Sequence, residues 1–557
     1  MPTLAWGRAR WTRREERSLT ELSQTDQFRK EPVVEIPRQY NAAHDLIERN
    51  LRAGRGERVA FIDDAGAIRY DELAERVNRF ASGLSSIGIR AEDRVMICML
   101  DTIDWVVAFL GAIKAGVVPV CANTLLRSND YDYMLRDSRA RALFVSRSLY
   151  PVFDGLLQAI PTLSRVVISE SPIADGGDFD ALLAAGEKDF EPADTVADEP
   201  CFWLYSSGST GEPKGAVHCH SSLIQTAELY ARPILGITER DRVFSAAKLY
   251  FAYGLGNALT FPLAVGASAV LMAERPTPAA VFDRLTGAAP RAAEALQPTV
   301  FYGVPTLFAA MLADESFPDR DRLALRICAS AGEALPEGIG ERFAAKVGVD
   351  VLDGIGSTEM LHIFLSNRCG GVRYGTTGVP VPGYRLRLVD DHGADVTDGE
   401  IGDLLIRGPS SALMYWNQRQ LSRETFEGEW VRSGDKYLRS ADGYYTYAGR
   451  SDDMLKVSGQ YVSPFEVESV LASHPSVLES AVVGLADEEG LIKPKAFVVV
   501  KPGVEADETL ALALQEHVKR QVVPHKYPRW IAFVAELPKT SSGKIQRFRL
   551  RSQTGDG

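Results

Sequence analysis

The sequence predicts an α/β fold: a large N-terminal body of α/β layers, a small β-barrel-like subdomain, and a small α+β domain at the C-terminus. Three observations carry this expectation. From about residue 39, helical runs alternate with short apolar runs; after Gly375 the pattern turns to alternating strands; near Gly449-Arg-Ser-Asp-Asp453 helical runs return.

In the body, Asp71–Ile87 spaces its apolar residues as a helix does, and Arg94–Met99 reads as a short buried strand. Trp105–Lys114 reads as an apolar helix, with Val117–Cys121 and Ala142–Ser146 as further strands. Strand-like runs separated by amphipathic helices imply largely parallel sheets. Beyond Gly375, Tyr384–Val389 and Gly402–Arg407 alternate with the two-residue period of half-buried strands, and turns fall at Asp390–Gly393 and Asp398–Gly399. After the second break, Ser463 is placed to cap a helix whose first residue is Pro464. Strands at Ala481–Gly484, Ala496–Lys501 and Ile531–Val534 and a helix at Thr509–Gln521 complete a domain of adequate size. The expected boundaries are 39–451 for the body and 452–557 for the mobile C-terminal domain, with 1–38 a disordered extension.

The chain has 557 residues and 62 basic against 74 acidic side chains, a formal charge of −12. Such a balance excludes a polyanion-binding surface, because nucleic-acid affinity needs a concentrated positive field. The apolar stretches 104–122 and 258–273 are broken by Lys114 and by Pro262 and Gly266. Neither reaches the ~20 uninterrupted apolar residues that cross a bilayer. Six scattered cysteines without a C-x-x-C pair read as reduced thiols of a cytoplasmic protein. The N-terminus lacks the apolar region of a secretory signal. His218-Cys219-His220 is not read as a metal site, since neighbours on a strand face opposite ways and no second cluster of ligands follows.

The segment Tyr205-Ser-Ser-Gly-Ser-Thr-Gly-Glu-Pro-Lys-Gly215 combines hydroxyls, three glycines and a lysine after a strand-like entry, Phe202–Tyr205. Glycines let backbone N–H groups approach an anion, hydroxyls donate further hydrogen bonds, and lysine adds a point charge. It is a phosphate-binding loop but not a Walker A loop, because Lys214 follows Pro213 and precedes Gly215.

With this loop the chain resembles the ANL adenylate-forming enzymes, which include acyl- and aryl-CoA synthetases, adenylation domains and beetle luciferases. The family's other motifs have counterparts in order: Ser330-Ala-Gly-Glu-Ala-Leu335, Asp353-Gly-Ile-Gly-Ser-Thr-Glu359, Ser433-Gly-Asp435 with Tyr447-Ala-Gly-Arg450, Ser451–Gly459, and Pro538-Lys-Thr-Ser-Ser-Gly-Lys-Ile-Gln-Arg547. The resemblance spans roughly residues 39–551. It implies that Ser206, Ser207, Gly208, Ser209, Thr210, Gly211 and Lys214 hold the ATP phosphates. Gly332, Glu333, Ala334, Asp353, Gly354 and Ile355 would line the adenine side, and Asp435 and Arg450 the ribose. Thr358 would meet the α-phosphate, Glu359 would bind Mg²⁺, and Lys544 would bridge the carboxylate and the α-phosphate. The pivot of the C-terminal domain maps to Asp452, and the coenzyme A side to Ser458, Gly459 and Gln460.

Family enzymes join a carboxylate to the α-phosphate of ATP, release pyrophosphate, and pass the acyl group to a thiol. A carboxylic acid with pKa near ~4 is already ionised, so the first step needs cations rather than a general base. A narrower resemblance, to the benzoate-CoA ligase group, rests on Ser245–Asn257, Phe301-Tyr-Gly-Val-Pro305, Gly354–Asn367 and Lys456–Ser463. It implies an aryl pocket from Tyr230, Phe251, Ala252, Tyr253, His362 and Ile363. Two residues depart from many family members: Ile355 stands where an aromatic residue stacks on adenine, and Phe251 where aryl ligases carry a gating histidine. The expected reaction is ATP-dependent ligation of benzoate to coenzyme A, with 4-hydroxybenzoate, 2-aminobenzoate or a separate carrier protein as alternatives. The end of the chain soon after Lys544 favours free coenzyme A. The expected partners are small molecules, with neither nucleic acid nor membrane, and a monomer or homodimer is expected.

Overall fold

A computed structural model describes residues 21–27, 29, 32–169, 178–206, 213–288, 297–451, 453–457, 460–487, 491–523, 526–539 and 545–552. Two large sheets form the body. The first has seven strands in the order Met414–Tyr415, Lys214–Cys219, Pro200–Ser206, Val118–Cys121, Arg94–Cys98, Ala142–Ser146 and Arg165–Ser169. The second has nine: Val379–Pro380, Ile363–Ser366, Val351–Gly356, Ile327–Ser330, Val300–Gly303, Arg242–Ser245, Ser268–Val270, Val59–Asp63 and Gly66–Arg69. Their central strands are parallel, whereas Lys214–Cys219 and Ile363–Ser366 pair antiparallel to their neighbours. Parallel strands are covered on both faces, which is why they read as short, continuously apolar runs. Helix Ile103–Lys114 packs in the core with Trp105 stacked on Phe109 at 5.1 Å, and nearly all of its residues are buried.

Beyond the body, Arg385–Val389, Ile401–Arg407 and Trp430–Arg439 form an antiparallel sheet, with Phe426–Glu427 and Tyr445–Arg450 sharing the far edge of the last strand. The antiparallel alternation expected here is present. The ladder does not close into a barrel among the described residues. The C-terminal unit sets Val477–Ala486, Ile492–Val500 and Trp530–Phe533 in one sheet under helices Pro464–Ala472 and Glu508–Lys519. Ser463 caps the first helix by accepting from the Glu466 N–H at 3.0 Å, as its sequence position predicts.

The N-terminal extension corrects an expectation. Rather than being disordered through residue 38, the chain pairs Gln24–Asp26 antiparallel with Val33–Glu35. The region also docks on the body, with Ser23 donating to Asp45 and Gln27 to Glu228. Period and composition carry no sign of so short a ribbon, whose docking partners Asp45 and Glu228 are distant in sequence.

Two helices contain one wide, π-type turn each, Ala227–Ala231 and Gly256–Thr260. Such turns push backbone and side chains out of helical register and cluster at functional sites. At the start of the helix preceding the first one, buried His220 accepts the Ala42 N–H through Nδ1 at 3.2 Å. Burial pushes its imidazole down to about 3 from an ordinary 6.5. The folded protein therefore keeps it neutral while the unfolded chain protonates, and stability is lost as pH falls from 6.5 toward 3. His220→Asn, which retains an acceptor, is expected to reduce the slope of unfolding free energy against pH by about 1.4 kcal/mol per pH unit between pH 6 and 4, measured by urea titration.

Candidate active site

The antiparallel strands Pro200–Ser206 and Lys214–Cys219 bring Ser206 opposite Lys214. Both ends of the phosphate-loop motif are thus held side by side; Ser207, Gly208, Ser209, Thr210 and Gly211 lie outside the described residues. The base is braced from below: the Tyr205 hydroxyl donates to Asp137 Oδ2 at 2.7 Å, and Trp416 Nε1–H donates to the Asp137 carbonyl at 3.0 Å.

Strand Lys214–Cys219 also anchors the segment that carries Glu359. His218 is buried, stacked on Phe202 at 5.2 Å, and its Nε2–H donates to the Thr358 carbonyl at 2.8 Å. Because a carbonyl only accepts, this contact sets the tautomer. Desolvation lowers the imidazole to about 4, so it stays neutral. On the other edge of the strand, Tyr415 pairs with Ala216. The Tyr415 hydroxyl donates to Glu359 Oε1 at 2.6 Å, and Lys214 Nζ lies over the Tyr415 ring at 5.2 Å. Burial and the Glu359 carboxylate raise the phenol well above its usual range, which keeps it a donor. Lys214, Thr358 and Glu359 are thus linked through Tyr415 and His218, two residues that the sequence did not single out.

The residues that the sequence assigns to the nucleotide side fall near the ends of neighbouring strands. Ser330 and Asp353 are paired across parallel strands, and Gly332 lies just beyond with φ of +95°, a backbone region that favours glycine. Glu333 and Ala334 follow in the same turn, while Gly354 and Ile355 continue the Asp353 strand and pair with Ser366 and Leu365. Asp353 is buried, and desolvation raises its carboxyl well above the usual range. Asp435 and Arg450 are paired on adjacent strands, with Arg450 Nη1 donating to Asp435 Oδ1 at 3.2 Å and to the Ser433 carbonyl at 3.1 Å.

Of the residues that the sequence assigns to an aryl pocket, Tyr230 and Tyr253 meet His362. Its ring centroid lies 4.5 Å from Phe261, 5.4 Å from Tyr230 and 5.6 Å from Tyr253. Its Nε2–H faces the Tyr253 carbonyl at 3.3 Å and Asn257 Oδ1 at 3.1 Å, and desolvation lowers the imidazole to about 3. Tyr253 in turn donates to the Ala329 carbonyl at 3.1 Å. Ile363 packs against Gly354, where an added Cβ would lie 3.0 Å from its Cγ2. Phe251 makes its ring contact with Tyr250 at 4.7 Å, and Ala252 begins the helix that leads to Tyr253. Phe261 and Asn257 were not legible as site residues: each is one more apolar or amide residue in a helical run, and the wide turn that aims Asn257 has no sequence marker.

At the C-terminal unit, Lys539 and Ile545 pair in an antiparallel bridge, and Lys539 forms an ion pair with Glu479 at 2.6 Å. Lys544 lies outside the described residues, as do Asp452, Ser458 and Gly459. The Gln460 backbone pairs with Val457. Tyr447 and Phe465 join the two units edge to face at 5.3 Å.

Residues 47–416 match the model of the AMP-binding enzymes, and residues 466–544 that of the AMP-binding enzyme C-terminal domain. The chain belongs to the AMP-binding enzyme family. Within this family it is 62% identical over 533 residues to the benzoate–CoA ligase of Thauera aromatica, covering 95% of this chain and 99% of that protein. It is 50% identical over 531 residues to the 4-hydroxybenzoate–CoA/benzoate–CoA ligase of Rhodopseudomonas palustris, covering 93% of this chain and 95% of that protein. The crystal structure of a benzoate CoA ligase from Burkholderia xenovorans LB400 superposes with a TM-score of 0.85 at 55% identity, covering 92% of this chain and 100% of that one. The AMP-binding fold thus accounts for both sheets and the small C-terminal domain.

One prediction tests the support of Glu359. Tyr415→Phe removes the hydrogen bond to its carboxylate and is expected to weaken binding of ATP in the presence of Mg²⁺ about tenfold, read by calorimetry.

Proposed function

We propose that this AMP-binding enzyme ligates benzoate to coenzyme A. In the first step a benzoate oxygen attacks the α-phosphate of ATP, the bond to the β-phosphate oxygen breaks, and benzoyl-AMP and pyrophosphate result. In the second, the coenzyme A thiolate attacks the acyl carbon and AMP leaves, giving benzoyl-CoA. The observation that carries this reading is the aromatic enclosure of His362 by Tyr230, Tyr253 and Phe261, three residues along the chain from Glu359. A flat apolar ring suits such walls, and a neutral imidazole adds no charge to them. The high identity to benzoate–CoA ligases over almost the full chain supports the same reading.

In this proposal the ends of the loop, Ser206 and Lys214, contact phosphate together with Ser207–Gly211, and Thr358 orients the α-phosphate. Asp353 and the Gly332–Ala334 turn face adenine, and Asp435 accepts from the ribose hydroxyls with Arg450 as a neighbouring donor. Glu359 fits a magnesium ion: Tyr415 takes Oε1, Oε2 accepts no hydrogen bond among the described residues, and magnesium prefers few carboxylates. When bound, the ion would screen the charge of the polyphosphate. Lys544 adds a cation where the benzoate and phosphate oxygens meet. The domain boundary is placed between residues 451 and 452, with Asp452 as pivot, and Ser458, Gly459 and Gln460 are assigned to the coenzyme A side. The six cysteines form no disulfide, which suits a reducing cytoplasm. No helix among the described residues is long and apolar enough to cross a membrane.

Two measurements test the proposal. Incubation with ATP, Mg²⁺ and a panel of benzoates and short fatty acids, with and without coenzyme A, is expected to give benzoyl-CoA and AMP with little turnover of aliphatic acids. Acyl-AMP without thioester would redirect the acceptor to a carrier protein, and no adenylate from any acid would overturn the reading. Lys544→Ala is expected to slow adenylate formation by at least ~10²–10³-fold while turnover of supplied benzoyl-AMP with coenzyme A persists.

A further inference from the structure

The wall that carries Tyr230 is held from behind by a buried ionic cluster, and the N-terminal ribbon reaches into it. Glu228 lies two residues before Tyr230 in the same wide turn, Ala227–Ala231. Residues two apart along a helical turn face roughly opposite sides. The ring of Tyr230 meets His362, while the carboxylate of Glu228 meets Arg49 at 3.4 Å and Arg232 at 3.0 Å. Asp45 completes the cluster by accepting Arg49 in a two-pronged pair at 2.8 and 2.9 Å and the Tyr40 hydroxyl at 2.7 Å.

This cluster also ties together the two helices with wide turns. Arg49 and Arg232 both donate to the Ala264 carbonyl, at 3.3 and 3.0 Å, and Ala264 sits just beyond the Gly256–Thr260 turn that carries Asn257. Tyr230 and Asn257, the residues those turns present to His362, are thus fastened through one set of buried charges. Glu228 and Asp45 are 3% and 1% exposed, so a missing donor there is not replaced by bulk water. The ribbon supplies two of the donors. Gln27 Nε2 donates to the Glu228 carboxylate at 2.9 Å and to its backbone carbonyl at 3.0 Å, and Ser23 donates to Asp45 at 2.5 Å while accepting from Arg49 at 2.7 Å.

We propose that Gln27, acting through Glu228, is a positioning residue for the aryl pocket, so that the N-terminal segment belongs to the acid-binding machinery although it touches no substrate. A carbonyl–amide hydrogen bond inside the turn fixes its backbone, and the charged one fixes the outward side chain against which the turn is braced. The inference rests on the reading that the pocket takes benzoate. The effect of Gln27 on the pocket is separable from core packing, because Gln27 follows the Gln24–Asp26 strand, is half-buried, and is not a member of the apolar core.

The test compares the full-length wild type with Gln27→Ala and Gln27→Glu. Hydrogen exchange of residues 223–235, measured without substrate, is expected to accelerate in Gln27→Ala. The KM for benzoate is expected to rise about tenfold, with the KM for ATP and the melting temperature nearly unchanged. Gln27→Glu, which sets a second carboxylate against Glu228, is expected to raise it further. Unchanged exchange, unchanged KM for benzoate, or equal rises in both KM values would each overturn the proposal. Wild type that forms no benzoyl-CoA in the same assay would instead remove the benzoate reading, while the exchange data would still report whether Gln27 orders the turn.

Discussion

Glu359 sits where three segments far apart in the sequence meet: the Tyr415 hydroxyl holds its carboxylate by a short hydrogen bond, and the Ala412 N–H holds its carbonyl at 2.7 Å. The strand Lys214–Cys219 makes that bond possible. It pairs with Tyr415 on one edge, and its buried His218 grips the Thr358 backbone. The strand also begins with Lys214, so the lysine of the loop motif and the Glu359 carboxylate share one support. A site that must hold anions against each other gains most from such fixed donors, since little reorganisation remains for the reaction itself.

Burial explains why those supports are neutral. The chain carries −12 overall, and ATP, benzoate and coenzyme A are all anionic. Every additional buried anion near the site would oppose binding. His218 and His362 are held neutral by desolvation, and the carboxyl of Asp353 is raised by the same cause. Among the charged groups, Lys214 lies over the Tyr415 ring, Arg450 donates to Asp435, and Arg49, Asp45, Glu228 and Arg232 form a cluster behind Tyr230. The pocket wall is therefore polar in composition yet nearly free of net charge.

Much of this was legible in the chain. The alternation of runs predicted the parallel sheets, Ser463 and Pro464 marked a helix start, and the order of motifs marked the family. What escaped detection shares one property: its meaning comes from a distant partner. Tyr415 is an unremarkable residue in Met414-Tyr415-Trp416 until Glu359 arrives beside it. His218 looked like a stray member of a His-Cys-His run, and its role follows only from the Thr358 carbonyl. The ribbon at Gln24–Glu35 looked like a tail because short strands with mixed composition carry almost no periodicity.

By itself the sequence determined the α/β class, the succession of elements, the phosphate loop and the family, because these depend on local periodicity and on short motifs whose chemistry is complete within a few residues. The tertiary structure alone decided which side chains brace Thr358 and Glu359, which nitrogen of His218 donates, and that the N-terminal segment docks on Asp45 and Glu228. Those properties depend on burial and on hydrogen-bond partners as far apart as Gln27 and Glu228 or Trp416 and Asp137, and no local pattern encodes a contact of that range.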